Sequence, residues 1–335
     1  MIFYVTSVAN SEGMAYVPLW GPTPASHMQF LLYHDLLRVK QLLPGTYVFA
    51  DLEVLSPRYL QMAAQVWKQL SSAGPRVCLL NNPVRVLRRY ELLRTLYEMG
   101  VNRFRAIRAS KSLEPLRFPV FVRREDEHTG SLTRLLRSRE ELHRALRYLR
   151  LQGHGLRNLL VVEFCNTADA TGVFRKYSAF IVGREILPRH LLFSRNWLVK
   201  QPDLVDENFA QEQLEFLERN PHEPWLREIF RLAAIDYGRI DYSLLGNEPQ
   251  VWEINTNPTV KKLTPRLTSA FEAIDCATDG CSPIPITIDP VLVRSVKREA
   301  QGRRRERALR RMIPALASTQ LVRPVARVVK ALLRP

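Results

Sequence analysis

Cysteine is scarce in this chain. Its 335 residues hold four, Cys78, Cys165, Cys276 and Cys281. Only Cys276 and Cys281 are close in sequence, and no histidine or second cysteine pair stands near them to complete a zinc site. Free intracellular thiols are expected, rather than a metal centre or a disulfide framework. Long apolar runs are missing too. No window reaches about eighteen apolar residues, so no membrane span is expected. The opening Met-Ile-Phe-Tyr-Val-Thr has neither a basic start nor a long apolar core. A signal peptide is therefore not expected, and the cytoplasm is the expected location. No internal repeat and no nucleic-acid-binding fold motif is visible.

Negative charge is scarce at one end. The net charge is +16, from 49 Lys/Arg against 33 Asp/Glu. Between Val291 and Pro335 thirteen Lys/Arg face two Glu, so +11 of that total sits in the last stretch. The excess belongs to a tail rather than to the body. Leu309, Met312, Ile313 and Leu316 form one helical stripe beside Arg303-Arg304-Arg305 and Arg310-Arg311, with Pro314 interrupting it. An acidic partner, nucleic acid or an anionic membrane surface would suit such a tail, the last placing the protein peripherally at a membrane. A plain exposed appendage is the other reading. Whether the chain forms a homo-oligomer is left open.

The rest has an ordinary globular composition, 46% hydrophobic and 24% charged, and enough length for two or three packed domains. Short β-branched runs at 2–5, 47–50 and 77–80 alternate with helical patterns at 30–42 and 58–70. That order reads as a parallel α/β unit. Asn81-Asn82-Pro83 ends the third strand, where such sheets place ligands or simply turn. Residues 84–97 and 138–151 read as helices, the second with Ser138 as N-cap. Residues 118–122 and 159–164 read as strands, with a polar loop over 123–131. A hairpin is expected at 176–187, helices at 204–219 and 225–234, and a second hairpin at 239–245 and 250–254.

The second hairpin carries the chemistry. Residues two apart on a strand share a face. Arg239 and Asp241 therefore face one way on the first strand, and Glu253 and Asn255 on the next. Pairing brings two carboxylates, an amide oxygen and a guanidinium together. Magnesium or manganese takes such hard oxygen donors. Charges on a wet face are the alternative, but both acids lie in apolar runs, where a carboxylate needs a metal or a cation.

Arg-x-Asp, a turn and Glu-x-Asn-x-x-Pro resemble the C-terminal nucleotide-binding hairpin of the ATP-grasp superfamily. The similarity runs back over residues 75–265 in the family's order. Phe118–Val122 resembles the strand ending in a phosphate-binding lysine, a place held here by Arg123. Glu127–Ser131, around Gly130, is similar to the loop that closes over the phosphates. Val161–Phe164 resembles the hinge strand that receives adenine, and Phe174–Leu187 the hairpin that brings basic residues to the phosphates. Ser178 stands where many relatives have arginine, with Arg175 and Lys176 upstream.

The resemblance implies an ATP-grasp-like fold, α/β overall and α+β in its nucleotide-binding part, preceded by a small parallel α/β domain. The expected division is 1–95, 96–285 (lobes 96–164 and 165–285) and a basic helical tail at 286–335. Removal of 291–335 is expected to leave ATP binding intact. Implied metal ligands are Asp241, Glu253 and Asn255. Implied nucleotide contacts are Arg123, Gly130, Glu163, Phe164, Lys176 and Lys200. Arg239, Lys176 and His190 are the implied catalytic groups, and Trp197 is read as packing. The implied activity is ATP-dependent joining of a carboxylate to an amine on a small molecule or peptide. The alternative is a non-catalytic ATP-binding regulator or scaffold.

Overall fold

The computed structural model describes residues 1–7, 27–113, 115–128, 130–275 and 282–302. Cys276, Cys281, Thr129 and the basic tail beyond 302 lie outside that set. The fold is mixed α/β, as expected. It opens with a sheet of four parallel strands, β1 (Ile2–Thr6), β2 (Met28–Leu32), β4 (Gly45–Phe49) and β5 (Val77–Leu80), in the order β2-β1-β4-β5. Between β2 and β4 come a short helix, α1 (Tyr33–Leu36), and the two-residue strand β3 (Gln41–Leu42). The helix expected at 30–42 is therefore mostly absent. The short apolar run at 30–33 has no alternation to distinguish a strand from a helix, and pairing with β1 makes its first part a strand.

Helix α2 (Pro57–Ser71) packs Met62, Ala63, Val66 and Leu70 on this sheet, with Ser56 as its N-cap. Helix α3 (Arg89–Glu98) starts later than its periodicity suggests, because the Leu87 N–H donates to the Ala233 carbonyl and the chain before it stays non-helical.

Three antiparallel strands follow, β6 (Ala106–Arg108), β7 (Val120–Arg124) and β8 (Leu159–Glu163), in the order β6-β8-β7. Helix α4 (Arg139–Leu151) covers one face, and the Ser138 side chain caps it as expected. A second antiparallel sheet has the order β10-β9-β11-β12, from β9 (Phe174–Val182), β10 (Glu185–Ser194), β11 (Tyr237–Leu245) and β12 (Glu248–Asn255). Helices α5 (Glu207–Arg219) and α6 (Glu223–Ala233) pack on it through Phe216, Leu226, Ile229 and Phe230. Helix α7 (Pro265–Ile274) joins this sheet to the parallel one in a shared core containing Tyr4, Val48, Tyr237 and Phe271.

Asn81 locks that junction. It adopts a left-handed φ of 66°, which asparagine tolerates better than most residues. Its amide donates to the carbonyls of Phe49 and Tyr237 and accepts from the N–H groups of Asp236 and Tyr237. Its amide is thus used in joining the sheets rather than offered to a ligand.

The last strand, β13 (Ile284–Pro285), pairs with β3, and the chain is helical from 290 to 302. Ile284, Ile286, Leu292 and Val296 are buried in the core of the parallel sheet. The boundary placed at 286 is corrected here. Up to at least Val296 the segment is core, because its apolar residues find the sheet even though its charges look tail-like.

Candidate active site

The two antiparallel sheets face each other across a cavity of about 460 Å³. Its floor is the β9–β11–β12 surface. Arg239 pairs with Asn255 and Asp241 with Glu253 in direct register, so both acids share the face the alternation requires. Ser178 sits opposite Asp241 on β9 and donates to its Oδ1 at 3.0 Å. Lys176 Nζ stands 3.3 Å from Asp241 Oδ2, and Arg239 Nε 3.1 Å from Oδ1. Burial pushes the Asp241 carboxyl up, but Arg239 and Lys176 outweigh it and hold it below the ordinary carboxylate range.

Glu253 is held by cations from other elements. Its Oε2 accepts Arg123 at 2.6 Å and Arg89 at 2.8 Å. Burial again raises the carboxyl, while Arg89, Arg123 and His128 bring it well below its usual value. Both acids are therefore anions inside a strongly basic pocket.

Among the expected contacts, Arg123, Gly130, Phe164, Lys176, Lys200, Arg239, Asp241 and Glu253 line the cavity. Gly130 has φ +91°, and a Cβ there would stand 2.8 Å from Lys200 Cε, so the loop lies directly on that lysine. Trp197, expected only to pack, also lines the cavity, 4.9 Å from Phe121 and 5.9 Å from Phe164 by ring centroids. Phe174 and Trp252 add two more aromatic rings to the lining.

Three expectations need correction or refinement. Glu163 does not line the cavity. Strand alternation turns it away from Phe164, and its carboxylate binds Arg105 at 2.5 Å and Arg117 at 2.8 Å. Those hydrogen bonds outweigh its burial and lower its pKa. Asn255 pairs with Arg239 on the strand face that carries Asp241 and Glu253 but does not line the cavity, and its Oδ1 accepts the Asn257 N–H at 2.7 Å. His190 is on the same cross-strand row, opposite Ser178, but does not line the cavity. Burial pulls its pKa down to about 4, so it is neutral.

Two residues of the site escaped sequence reasoning. Arg89, 1% exposed on its side chain at the start of α3, donates to the carbonyls of Glu125 and Glu127 as well as to Glu253. Glu53 follows β4 and bonds the Thr256 N–H and hydroxyl. It also meets His128 Nε2 at 3.1 Å. Burial would lower the His128 pKa, but hydrogen bonds to Glu253 and Glu53 hold it up at about 9. Residues 125–128 are thus fastened to both the parallel sheet and the acid pair. The strand-end rule that singled out Asn81 would have found Glu53 at the neighbouring strand. Arg89 left no signal, since an arginine at a helix start usually reads as surface.

No protein-family model and no curated protein matches the sequence. Solved structures similar to this chain include D-alanine–D-alanine ligase from Bacillus anthracis. That similarity has 14% identity and a TM-score of 0.48, and covers 82% of this chain and 97% of the other. The same ligase complexed with ATP gives 14%, a TM-score of 0.46, and 82% and 91% coverage. A RimK domain ATP-grasp protein from Sphaerobacter thermophilus gives 11%, 0.45, and 82% and 95%. Likeness at this level bears on no side chain of the site.

Proposed function

We propose that this chain is a magnesium-ATP-dependent carboxylate–amine ligase of the ATP-grasp kind, acting on a small molecule or peptide. One observation carries the reading: two carboxylates, paired in register, at the floor of a cavity whose lining also holds several cations and aromatic rings. Cations suit a triphosphate, the rings suit a purine, and the acids suit the metal that accompanies the phosphates. Asp241 and Glu253 would supply hard oxygen donors of the kind magnesium or manganese takes, and Asn255 would join them only by releasing the Asn257 N–H that its Oδ1 now accepts. When bound, the ion would supply charge neutralisation at the phosphate oxygens.

The substrate carboxylate would attack the γ-phosphorus of ATP, breaking its bond to ADP. An amine would then attack the acylphosphate carbon, forming C–N, expelling phosphate and losing a proton. Arg239 would stabilise the developing oxyanion, and Arg123, Lys176 and Lys200 would hold phosphates. The loop around Gly130 would keep water from the acylphosphate. Glu163 is dropped as a side-chain contact, and Arg89 and Glu53 are added as groups that position the loop.

A non-catalytic ATP-binding role draws on a different observation, that Glu253 Oε2 already accepts two guanidinium groups. ADP release from magnesium-ATP with pools of amino acids and peptides separates the two. The ligase reading expects turnover that falls at least about a hundredfold in Asp241→Asn and in Glu253→Gln. Turnover retained in both variants rejects the acid pair. Nucleotide binding without turnover on any pool supports the non-catalytic role. The tail beyond 302 keeps its proposed acidic, nucleic-acid or membrane-surface partner. No helix among the described residues is long and apolar enough to cross a membrane.

A further inference from the structure

Glu163 does not reach the cavity, yet it ends the strand whose next two residues line it. It is 2% exposed. Its Oε2 accepts the Arg105 N–H at 3.1 Å and Arg117 Nη2 at 2.8 Å. Its Oε1 accepts the Arg117 N–H at 2.9 Å and Arg105 Nη2 at 2.5 Å. A carboxylate has about four acceptor positions, so this one is fully engaged within the chain. Arg117 Nη2 also donates to the Arg103 carbonyl, and Arg105 Nη2 to the Pro115 carbonyl. One acid and two guanidiniums thus clasp the end of β8 to the segments that lead into β6 and β7.

Cavity rings from both antiparallel sheets connect to this clasp. Phe164 follows Glu163 directly, and its N–H donates to the Pro119 carbonyl at 2.9 Å. Phe121 lies on β7, next to Val120, which pairs with Glu163. On the other side, residues 102–105 form a strip running from Glu163 to Trp252 on β12. Glu163 holds Arg105, and Phe104 stacks on Trp252 with ring centroids 4.9 Å apart at 26°. The Arg103 N–H donates to Gln250 Oε1 at 2.7 Å, and the Asn102 amide bonds the Val251 N–H and carbonyl at 2.8 and 3.0 Å. The backbone that fixes where these rings stand is therefore backbone that Glu163 holds. A buried ion cluster is often no more stabilising than apolar packing of the same volume, so its effect here is on position.

We propose that Glu163 is a positioning residue for the nucleobase: with Arg105 and Arg117 it sets the spacing of the cavity rings contributed by the two sheets, and so the affinity for a planar heteroaromatic ligand, without touching that ligand. The inference rests on the nucleotide reading of the cavity. Lys176, Arg239 and Asp241 lie on β9 and β11, which the clasp does not join. Binding of the base and binding of the phosphates are then separable.

Calorimetry on the full chain compares a non-hydrolysable magnesium-ATP analogue with magnesium tripolyphosphate, which carries the phosphates and no base. Wild type is expected to bind both. Glu163→Gln keeps the size and removes the charge that holds both arginines. It is expected to weaken the analogue about tenfold and tripolyphosphate by less than about twofold. Arg117→Met acts at a side chain that is 61% exposed and leaves Glu163 paired with Arg105. It is expected to weaken the analogue about threefold with tripolyphosphate unchanged, and it decides the matter where the glutamine variant does not fold. Equal analogue affinity in wild type and variants overturns the inference and leaves the nucleotide reading standing. A parallel loss for both ligands overturns it too, because the clasp then only supports the fold. So does a wild type that binds the analogue but not tripolyphosphate, since base and phosphates are then not separable. A wild type that does not bind the analogue overturns the nucleotide reading and this inference with it.

Discussion

Arg89 shows how one side chain can organise a site without being visible in advance. It is a fully buried cation, and its partners come from a loop of the three-stranded sheet and from β12 of the other. Removing one member of a buried ion pair strands the other, at a cost of about 3–5 kcal/mol. Arg89→Met is expected to lower unfolding free energy by that order in urea titrations, and to loosen nucleotide binding in parallel. A loss below about 1 kcal/mol would mean that Glu253 finds sufficient compensation in Arg123 and His128. The Asp241–Glu253 pairing, by contrast, was legible from the text. Alternation along two strands and a turn between them leave few ways to arrange four polar residues, and the observed register is the simplest of these.

At the scale of elements, the loop around Gly130 is held from several sides. Arg89 holds its carbonyls, His128 ties it to Glu53 and Glu253, and Gly130 lies against Lys200. A side chain at Gly130 meets both a left-handed φ and a close lysine. Gly130→Ala is therefore expected to displace the loop, at about 1–2 kcal/mol of local strain. Affinity for a magnesium-ATP analogue is expected to fall about tenfold, with the melting temperature nearly unchanged because the loop lies outside the main cores. Unchanged affinity would show that the loop does not cover the nucleotide. The sequence located this loop by its polarity and single glycine. It could not show what fastens the loop, since the fastening residues are about 40 to 125 positions away in the chain.

At the scale of the whole molecule, residues 284–296 return to the first parallel sheet. Ile284, Ile286, Leu292 and Val296 complete the core under the first parallel strands. Removing 291–335 therefore takes Leu292 and Val296 out of that core and is expected to destabilise the protein, contrary to the reading from charge alone. Val296 is 0% exposed. Val296→Asp places an unpaired charge there, at a cost above about 3 kcal/mol. Thermal unfolding followed by circular dichroism checks this, and a melting temperature within about 2 °C of wild type would exclude the helix from the core.

Local pattern determined the strand and helix identities in most of the chain, the parallel opening unit, and the face shared by Asp241 and Glu253. These depend on periodicity within about a dozen residues, which a sequence states directly. Only tertiary structure decided that Glu163 is buried against Arg105 and Arg117, that residues 28–32 form an edge strand, and that Arg89 and Glu53 lie beside the acid pair. Each of those outcomes depends on a partner far away in the chain. Burial and charge pairing are settled by which distant groups meet, and periodicity does not say which groups those are.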